Sequence, residues 1–495
     1  MLFSEMIETL KPQIIDTSRV PDFVPNNLHY DSRKVGAGDI FFAIKGLKTD
    51  GNIYIDEVFS KGAGSVITDS ENGTSDVRIL RVKDARKSMA LMSARFYGFP
   101  SSKMKMIAVT GTNGKTSISS LIYHILISNG KRTGLIGTNG NMINNRFIKT
   151  SYTTPESVDL QKLLMEMAEE RVEIVSMEVS SHALALNRVY GIDFDIAVFT
   201  NLTIDHLDFH DDMENYFNAK KVLFDSLKRI NKKNNKTTAI YNSDDKYGSS
   251  IVSSTEAERY SFGINNGMYK CEDIEMSFKG TSFNLLVPRK GGKISELKFK
   301  TNLTGKFNIY NTVAAIAACY SAGLSYEQIR EAVKTFQPVE GRFNQFSLKN
   351  GASAIIDYSH TPDSLQNAIS TIREILDGIK SKGKIITVFG CGGNRDKTKR
   401  PVMGDIAAQM SDTAIITSDN PRNEDPFEII SDIKEGIRKD NYLVIENREE
   451  AIIKAVELSG KKDVILIAGK GHEMYQEIKG IMHHFSDKEI IEKYV

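Results

Sequence analysis

Tryptophan is absent and cysteine is scarce: Cys271, Cys319 and Cys391 are scattered and odd in number. That argues against a disulfide framework and fits a reducing, cytoplasmic compartment. Cys391 lies in a glycine loop and reads as a small packing residue. No segment reaches the roughly 18 apolar residues of a membrane span. The opening stretch MLFSEMIETLKPQ carries early acidic residues and lacks a signal-peptide profile. An excess of charge of either sign is missing too. With 64 Lys and Arg against 63 Asp and Glu the net charge is +1, and no long basic stripe suggests nucleic acid. Repeats and low-complexity tracts are lacking, and the polar run 231–236 (NKKNNK) reads as an exposed loop. What is present is a globular composition, 40% hydrophobic, in 495 residues. That length is too great for one ordinary domain, and three is the natural division.

The most informative stretch is Gly111-Thr112-Asn113-Gly114-Lys115-Thr116. Met106–Thr110 before it is a short apolar run that reads as a buried strand. Ile118, Leu121, Ile122 and Ile125 after it recur at helical spacing. A glycine loop between a strand and a helix N-terminus offers free N–H groups and a dipole end to an anion. Lys115 is placed for the terminal phosphates of ATP, and the Thr116 hydroxyl for Mg²⁺. Ser117 continues the loop. The general pattern asks for glycine five positions before Gly114, and Val109 stands there. A chance Gly-Lys-Thr in a turn would not need both flanking elements.

Two further strands, 172–177 and 197–200, end at Glu178 and at the segment leading to Asp205-His206. Strand carboxyl ends line the ligand crevice of an open α/β sheet, so Glu178 and His206 are expected beside the phosphate loop. His206 and His210 are four apart, but the pattern is not H-E-x-x-H and no third soft ligand is evident. Oxygen ligands next to ATP favour Mg²⁺ or Mn²⁺. His182 and His210 also suit hydrogen-bonded structural roles. Lys220, taken alone, would be a solvated helix lysine like its neighbour Lys221.

The last third holds three strand-loop units. The strand 383–389 enters Gly390-Cys391-Gly392-Gly393, but Arg395 replaces the third glycine of a dinucleotide fingerprint, so no NAD site is expected. The strand 413–418 delivers Asp419-Asn420-Pro421-Arg422, and 464–468 delivers Gly469-Lys470-Gly471-His472-Glu473. All three loops should meet at one sheet edge. The blander reading of Arg422 is a surface pair with Glu424 or Asp425. Residues 1–104 form a small α/β unit with strands near 41–44 and 65–67. The alternating segment 281–299 suggests strands appended to the central unit.

Taken together these motifs resemble the Mur ligase family. The resemblance runs along nearly the whole chain: DSRKVGAGDIFFAIKG (31–46), VTGTNGKTS (109–117), TTP (153–155), MEVSSHAL (177–184), FTNLTIDHLDFH (199–210), YFNAKKVLF (216–224), GRF (341–343), DYSHTPDSL (357–365), FGCGGNRDKTKRPVMG (389–404), SDNPRNEDP (418–426) and AGKGHE (468–473). The phosphate loop without glycine at 109 is itself the form this family uses.

The resemblance implies an α/β fold of three domains. These are a uridine-binding α/β domain (1–104), a central P-loop ATPase-like domain with a mostly parallel sheet (105–340), and a C-terminal Rossmann-like amino-acid-binding domain (341–495). It implies an ATP-dependent ligase of peptidoglycan precursor synthesis that adds meso-diaminopimelate to UDP-MurNAc-L-Ala-D-Glu through an acyl phosphate. Meso-lanthionine or L-lysine as the added amino acid, and a folylpolyglutamate-synthetase-like ligase, are the alternatives within the class. A P-loop ATPase switch is the alternative outside it. By the same resemblance Lys115, Glu178, His206 and Lys220 are catalytic, and Thr116, Glu178, His206 and a carbamylated Lys220 hold or position metal. Gly111 to Ser117, Asn308, Asn311, Arg342 and Asp357 contact ATP. Ser32, Thr153, Thr154, Ser180 and Arg188 hold the nucleotide-sugar peptide, with Leu186 where many relatives carry glutamine. Arg395, Asp419, Asn420, Pro421, Arg422, Gly469 and Glu473 hold diaminopimelate. Arg422 is the mark of the diaminopimelate-adding branch, since its planar fork suits a distal carboxylate. A monomer acting on small molecules is expected, with the third domain closing over the nucleotide.

Overall fold

The computed structural model describes residues 1–16, 20–46, 49–71, 76–150 and 152–495. Its strands fall into three large sheets that follow one another along the chain, plus one small hairpin. The first sheet has five strands, β1 (Ile14–Asp16), β2 (Leu28–His29), β3 (Ile40–Ala43), β4 (Ser65–Thr68) and β5 (Ile79–Val82), in the order β1-β5-β4-β3-β2. Only β1 runs antiparallel to its neighbour.

The second sheet has eleven strands. Its parallel centre consists of β6 (Lys105–Thr110), β7 (Thr133–Ile136), β10 (Ile174–Glu178), β11 (Ile196–Phe199), β12 (Thr238–Asn242) and β13 (Glu258–Gly263). One edge is extended by β8 (Asn141–Ile143) and β9 (Arg146–Ile148). The other is extended by β14 (Tyr269–Ser277), β15 (Gly280–Pro288) and β16 (Ile294–Thr301), so the alternating segment belongs to this same sheet. β6 lies between β10 and β11, its residues from Met106 to Thr110 all buried. A parallel strand covered on both faces reads as an unbroken apolar run, which is why MIAVT does not alternate. One face packs on the helices Lys115–Ser128 and Lys306–Ser321 through Ile118, Leu121, Ile122, Ile125, Val313 and Ile316. The other packs on Ser157–Glu169 and Met213–Asp225 through Leu160, Leu164, Leu223 and Phe224. Each such side chain taken from water contributes roughly 1.5–3 kcal/mol.

The third sheet has six strands in the order β17-β18-β22-β19-β20-β21. These are β17 (Asn344–Ser347), β18 (Ser353–Asp357), β19 (Ile385–Phe389), β20 (Thr413–Ile416), β21 (Tyr442–Val444) and β22 (Val464–Ala468), parallel except for β17. The hairpin β23 (Tyr475–Ile478) and β24 (Ile481–His484) follows. No helix among the described residues is long and apolar enough to cross a membrane. All three cysteines are free and buried. Cys391 packs its Sγ 3.8 Å from Met403 Sδ, and burial pushes its thiol up to about 12.

One sequence expectation is corrected. The segment 231–236 is not simply an exposed loop. Asn231 and Lys233 turn inward, where Lys233 pairs with the buried carboxylate of Asp195 and donates to the carbonyls of Met104 and Asp193. An inward lysine cannot be told from an outward one in a polar run.

Candidate active site

The chain leaves β6 at Thr110 and turns through Gly111 (φ 147°) and Gly114 (φ 90°) into the helix Lys115–Ser128. A Cβ on Gly111 would stand 1.8 Å from Thr200 Oγ1, and one on Gly114 2.4 Å from Asn311 Oδ1, so neither position tolerates a side chain. The loop is braced from β11: Asn113 N donates to Asn201 Oδ1 at 2.9 Å and Thr200 Oγ1 to Asn113 O at 2.6 Å. Lys115 Nζ donates to the carbonyls of Gly111 (2.9 Å) and Thr112 (2.7 Å). Burial lowers its pKa, while Glu178 and Asp205 oppose that fall.

Glu178, at the end of β10, is 1% exposed. Its Oε2 accepts from Thr116 Oγ1 at 3.0 Å, and its two oxygens accept from Thr138 N and Oγ1 at 2.8 and 3.1 Å. Lys220 comes from the helix Met213–Asp225 and is buried, with Nζ donating to Gly111 O at 2.9 Å. Burial, reinforced by Lys115, holds its pKa well below that of a free lysine. It is therefore a poorly solvated amine aimed at the phosphate loop, unlike Lys221, which pairs with Asp225. His206 has φ 56° at the start of the short helix Leu207–His210. Its Nε2 lies 3.3 Å from Asp205 Oδ2, and its ring meets His182 edge-on at 4.8 Å. Burial lowers its pKa to about 3 against the pull of Asp205. His182 and His210 share that ring cluster with Phe209 and Tyr216.

Two cavities meet at this loop. The larger, about 550 Å³, is lined by Thr112 to Ser117, Glu178, His206 and Lys220 on the phosphate side. Thr153, Thr154, Ser180, Leu186 and Arg188 line it further out, and Arg395, Asp419, Asn420, Arg422, Gly469 and Glu473 line it from the third sheet. The smaller, about 370 Å³, lies on the opposite side of the loop beside Asn113, Gly114, Ser117, Asn311, Arg342 and Asp357. Arg342 and Tyr358 border both, with the guanidinium 4.7 Å from the tyrosine ring centroid. Arg342 Nη2 lies 3.4 Å from Thr116 Oγ1, which links the third sheet to the phosphate loop.

Four expected residues stand outside these linings: Asn308, Pro421, Ser32 and Gly111, whose carbonyl accepts from Lys115 and Lys220. Asn308 lies behind Asn311, accepting from its Nδ2 at 3.1 Å and donating to Thr304 O at 2.8 Å. Pro421 turns the chain, its carbonyl accepting from Glu424 N at 3.0 Å. Ser32 sits in a 3-10 turn of the first unit, where its carbonyl accepts from Lys61 Nζ at 3.0 Å.

Among the residues brought in, Thr154 Oγ1 donates to Glu178 O (2.9 Å), and Ser180 Oγ accepts from Ala183 N (3.2 Å). Arg188 pairs with Glu156 at 2.8 Å, and Arg86 of the first unit lies 3.4 Å from the same carboxylate. Glu424 is engaged by Arg400 and Lys397, and Asp425 caps the helix Pro426–Lys434, so neither is the partner of Arg422. Glu473 accepts from Asn420 Nδ2 at 2.8 Å and Lys470 Nζ at 3.2 Å, and burial raises its pKa.

The cavity also contains Thr138, Tyr358, His360 and Lys399. Tyr358 and His360 lie in the DYSHTPDSL stretch, which marked their neighbourhood. Thr138 carried no sequence signal, since its role depends on the turn after β7.

Three family models match the chain: the Mur ligase family catalytic domain over 26–97, the Mur ligase middle domain over 109–319, and the Mur ligase glutamate ligase domain over 341–471. The UDP-N-acetylmuramoyl-L-alanyl-D-glutamate--2,6-diaminopimelate ligase 1 of Clostridium acetobutylicum is 43% identical, covering 95% of this chain and 94% of its own. The chain belongs to the Mur ligase family. The corresponding ligase of Clostridium tetani is 41% identical over 100% of this chain and 99% of its own. A solved structure titled as a UDP-N-acetylmuramoyl-L-alanyl-D-glutamate--2,6-diaminopimelate ligase superposes with a TM-score of 0.68 at 32% identity, covering 99% of this chain and 98% of that one. The Mur ligase three-domain α/β architecture is therefore present throughout.

The donor set fits a hard divalent cation. Among the described residues no three His, Cys, Asp or Glu side chains gather into a metal-holding group. Glu178 and the Thr116 hydroxyl nonetheless form a small oxygen pair at the phosphate loop. Mg²⁺ is held in this way beside nucleotides, with few protein ligands and the rest from phosphate and water.

Proposed function

We propose that this Mur ligase joins meso-2,6-diaminopimelate to UDP-N-acetylmuramoyl-L-alanyl-D-glutamate, with ATP converted to ADP and phosphate. The carrying observation is one cavity with a phosphate loop at one end and a charged, two-signed pocket at the other. That pocket combines Arg395, Arg422 and Lys470 with Asp419 and Glu473. A distal ammonium–carboxylate centre calls for both signs. The names of the relatives support the same substrates. The domain limits at residues 104 and 340 belong to this proposal.

A carboxylate is a poor acyl donor. In the reading offered, a carboxylate oxygen of the dipeptide attacks the γ-phosphorus of ATP, ADP leaves, and an acyl phosphate forms. The amine of diaminopimelate then attacks the acyl carbon, and phosphate leaves. Lys115 and Arg342 neutralise charge where the two anions meet. Asn311 and Asp357 face the nucleotide cavity, with Asn308 holding Asn311. Thr153, Thr154, Ser180 and Arg188 orient the dipeptide, and Ser32 the uridine end. Mg²⁺ would be held by Thr116 and Glu178, with His206 and a carbamylated Lys220 at a second position, and would supply further charge stabilisation. A buried, weakly basic amine suits carbamylation: its lone pair bonds the carbon of CO₂ and a proton leaves. The chain is proposed to act as a monomer.

Phosphate release tests this reading. With Mg-ATP and UDP-MurNAc-L-Ala-D-Glu, release and a UDP-tripeptide are expected with meso-diaminopimelate and not with L-lysine, which leaves Arg422 unpaired. Turnover with L-lysine would discard the role of Arg422. Meso-lanthionine, tested alongside, measures how closely the pocket reads the spacer. Hydrolysis independent of any amino acid would instead favour an ATPase switch.

A further inference from the structure

The match to the Mur ligase glutamate ligase domain ends at residue 471, so the hairpin β23–β24 lies beyond it. That hairpin holds Arg422 from behind. Arg422 has a left-handed backbone (φ 53°), a conformation that a side-chain-bearing residue keeps only when its surroundings fix it. The fixing bonds come from the hairpin: Arg422 N donates to Glu477 O at 3.0 Å, and Lys479 N donates to Arg422 O at 2.7 Å. Gln476 Nε2 donates to Asp419 O at 2.7 Å, and Glu477 N donates to Asn420 Oδ1 at 2.9 Å. Asn420 Oδ1 also accepts from Lys470 at 3.1 Å, so its amide is oriented with Nδ2 toward Glu473. Three of the four residues from Asp419 to Arg422 are thus set by one strand.

The side chains repeat the pattern. Glu477 Oε2 accepts from Arg422 Nε at 3.1 Å, and Gly393 O accepts from Nη1 at 2.9 Å. Nη2 has no protein partner among the described residues, and Arg422 lines the 550 Å³ cavity. An arginine side chain has about 2 kcal/mol of rotamer entropy to lose on being fixed. Here that loss is taken on folding, and the unengaged end of the fork is left for an incoming anion.

We propose that Glu477, on a strap formed by the hairpin β23–β24, is a positioning residue for specificity. It fixes Arg422 through Nε so that Nη2 faces the distal carboxylate of the amino-acid substrate. This rests on the functional reading above.

The test is steady-state kinetics of the full chain with Glu477→Ala, Glu477→Gln, Arg422→Ala and the Glu477→Ala/Arg422→Ala double variant. In Glu477→Ala, KM for meso-diaminopimelate should rise about tenfold, the scale of one charge-assisted hydrogen bond. The kcat and the KM values for ATP and the UDP-dipeptide should stay as they are. Glu477→Gln, which keeps an acceptor oxygen, should regain most of the loss. In the Arg422→Ala background, Glu477→Ala should add nothing. An unchanged KM for the diamino acid would overturn the inference. So would all three KM values and kcat shifting together, or a full additional loss in the double variant. An unfolded Glu477→Ala leaves the Gln variant and the wild-type-to-Arg422→Ala comparison to decide. Equal KM values in wild type and Arg422→Ala would overturn it as well. A wild-type protein that does not use the diamino acid would overturn the functional reading and this one together. Normal wild-type turnover with unaffected variants would overturn this one alone.

Discussion

Lys220 shows how much one position can depend on its neighbours. Its amine is buried, lies against a backbone carbonyl of the phosphate loop, and has Lys115 nearby to disfavour a second positive charge. Burial and Lys115 both favour the uncharged amine, whose lone pair carbamylation requires. Lys220→Ala should therefore lose most ligase activity, on the order of 10²-fold or more for a group that stabilises transition-state charge. Added formate, which restores a carboxylate to the vacated space, should return part of it. Full activity in the variant without formate would remove Lys220 from the mechanism. The residues of the phosphate loop were legible in sequence because their chemistry depends on spacing along the chain. Lys220 was legible only through family resemblance, since its burial depends on how a helix packs. Glu477 gave no signal, because its partner lies 55 positions away.

At the scale of elements, the strand ends were the most legible feature. β6, β10, β11, β19, β20 and β22 lie where the apolar runs placed them, within a residue or two at their limits. Buried parallel strands carry such runs regardless of what surrounds them. The segment from Asn231 to Lys236 was misread at Asn231 and Lys233, because these inward residues are polar. Asp195, beside β11, accepts from Met106 N at 2.7 Å and from the side chains of Asn231 and Asn235 at 2.8 and 3.0 Å, and pairs with Lys233. This node ties the start of β6 to the segment 231–236, which precedes β12. Asp195→Ala removes the directly paired carboxylate of the buried Lys233 ammonium, which costs about 3–5 kcal/mol. Urea unfolding of the full chain should show a clearly lower midpoint for the first transition. Asp195→Ala combined with Lys233→Met should recover part of the loss. A single variant as stable as wild type would mean that water reaches the pair.

At the scale of the whole molecule, the sequence indicated three units and left their mutual placement open, because it depends on contacts between distant positions. Here the third sheet reaches the phosphate loop through few bonds: Arg342 to Thr116 at 3.4 Å and Asn113 to Asp363 at 3.0 Å, with Lys306 to Glu374 at 2.7 Å nearby. Each such polar contact is worth about 0.5–1.5 kcal/mol net, so these bonds at the loop are weak by themselves. ATP phosphates between Lys115 and Arg342 would add stronger, charge-assisted bonds from both sides. The expectation is that ligands shift the population toward the closed arrangement. Closure would bring the pocket of Arg422 toward the acyl phosphate and exclude the water that would hydrolyse it. Small-angle scattering should show a smaller radius of gyration with Mg²⁺, a non-hydrolysable ATP analogue and the UDP-dipeptide than without them. Asp363→Ala should need more nucleotide for the same compaction, since it removes one of the protein's own closing bonds. An unchanged radius with saturating ligands would mean that the units do not move, and that access to the cavity is controlled by loops alone.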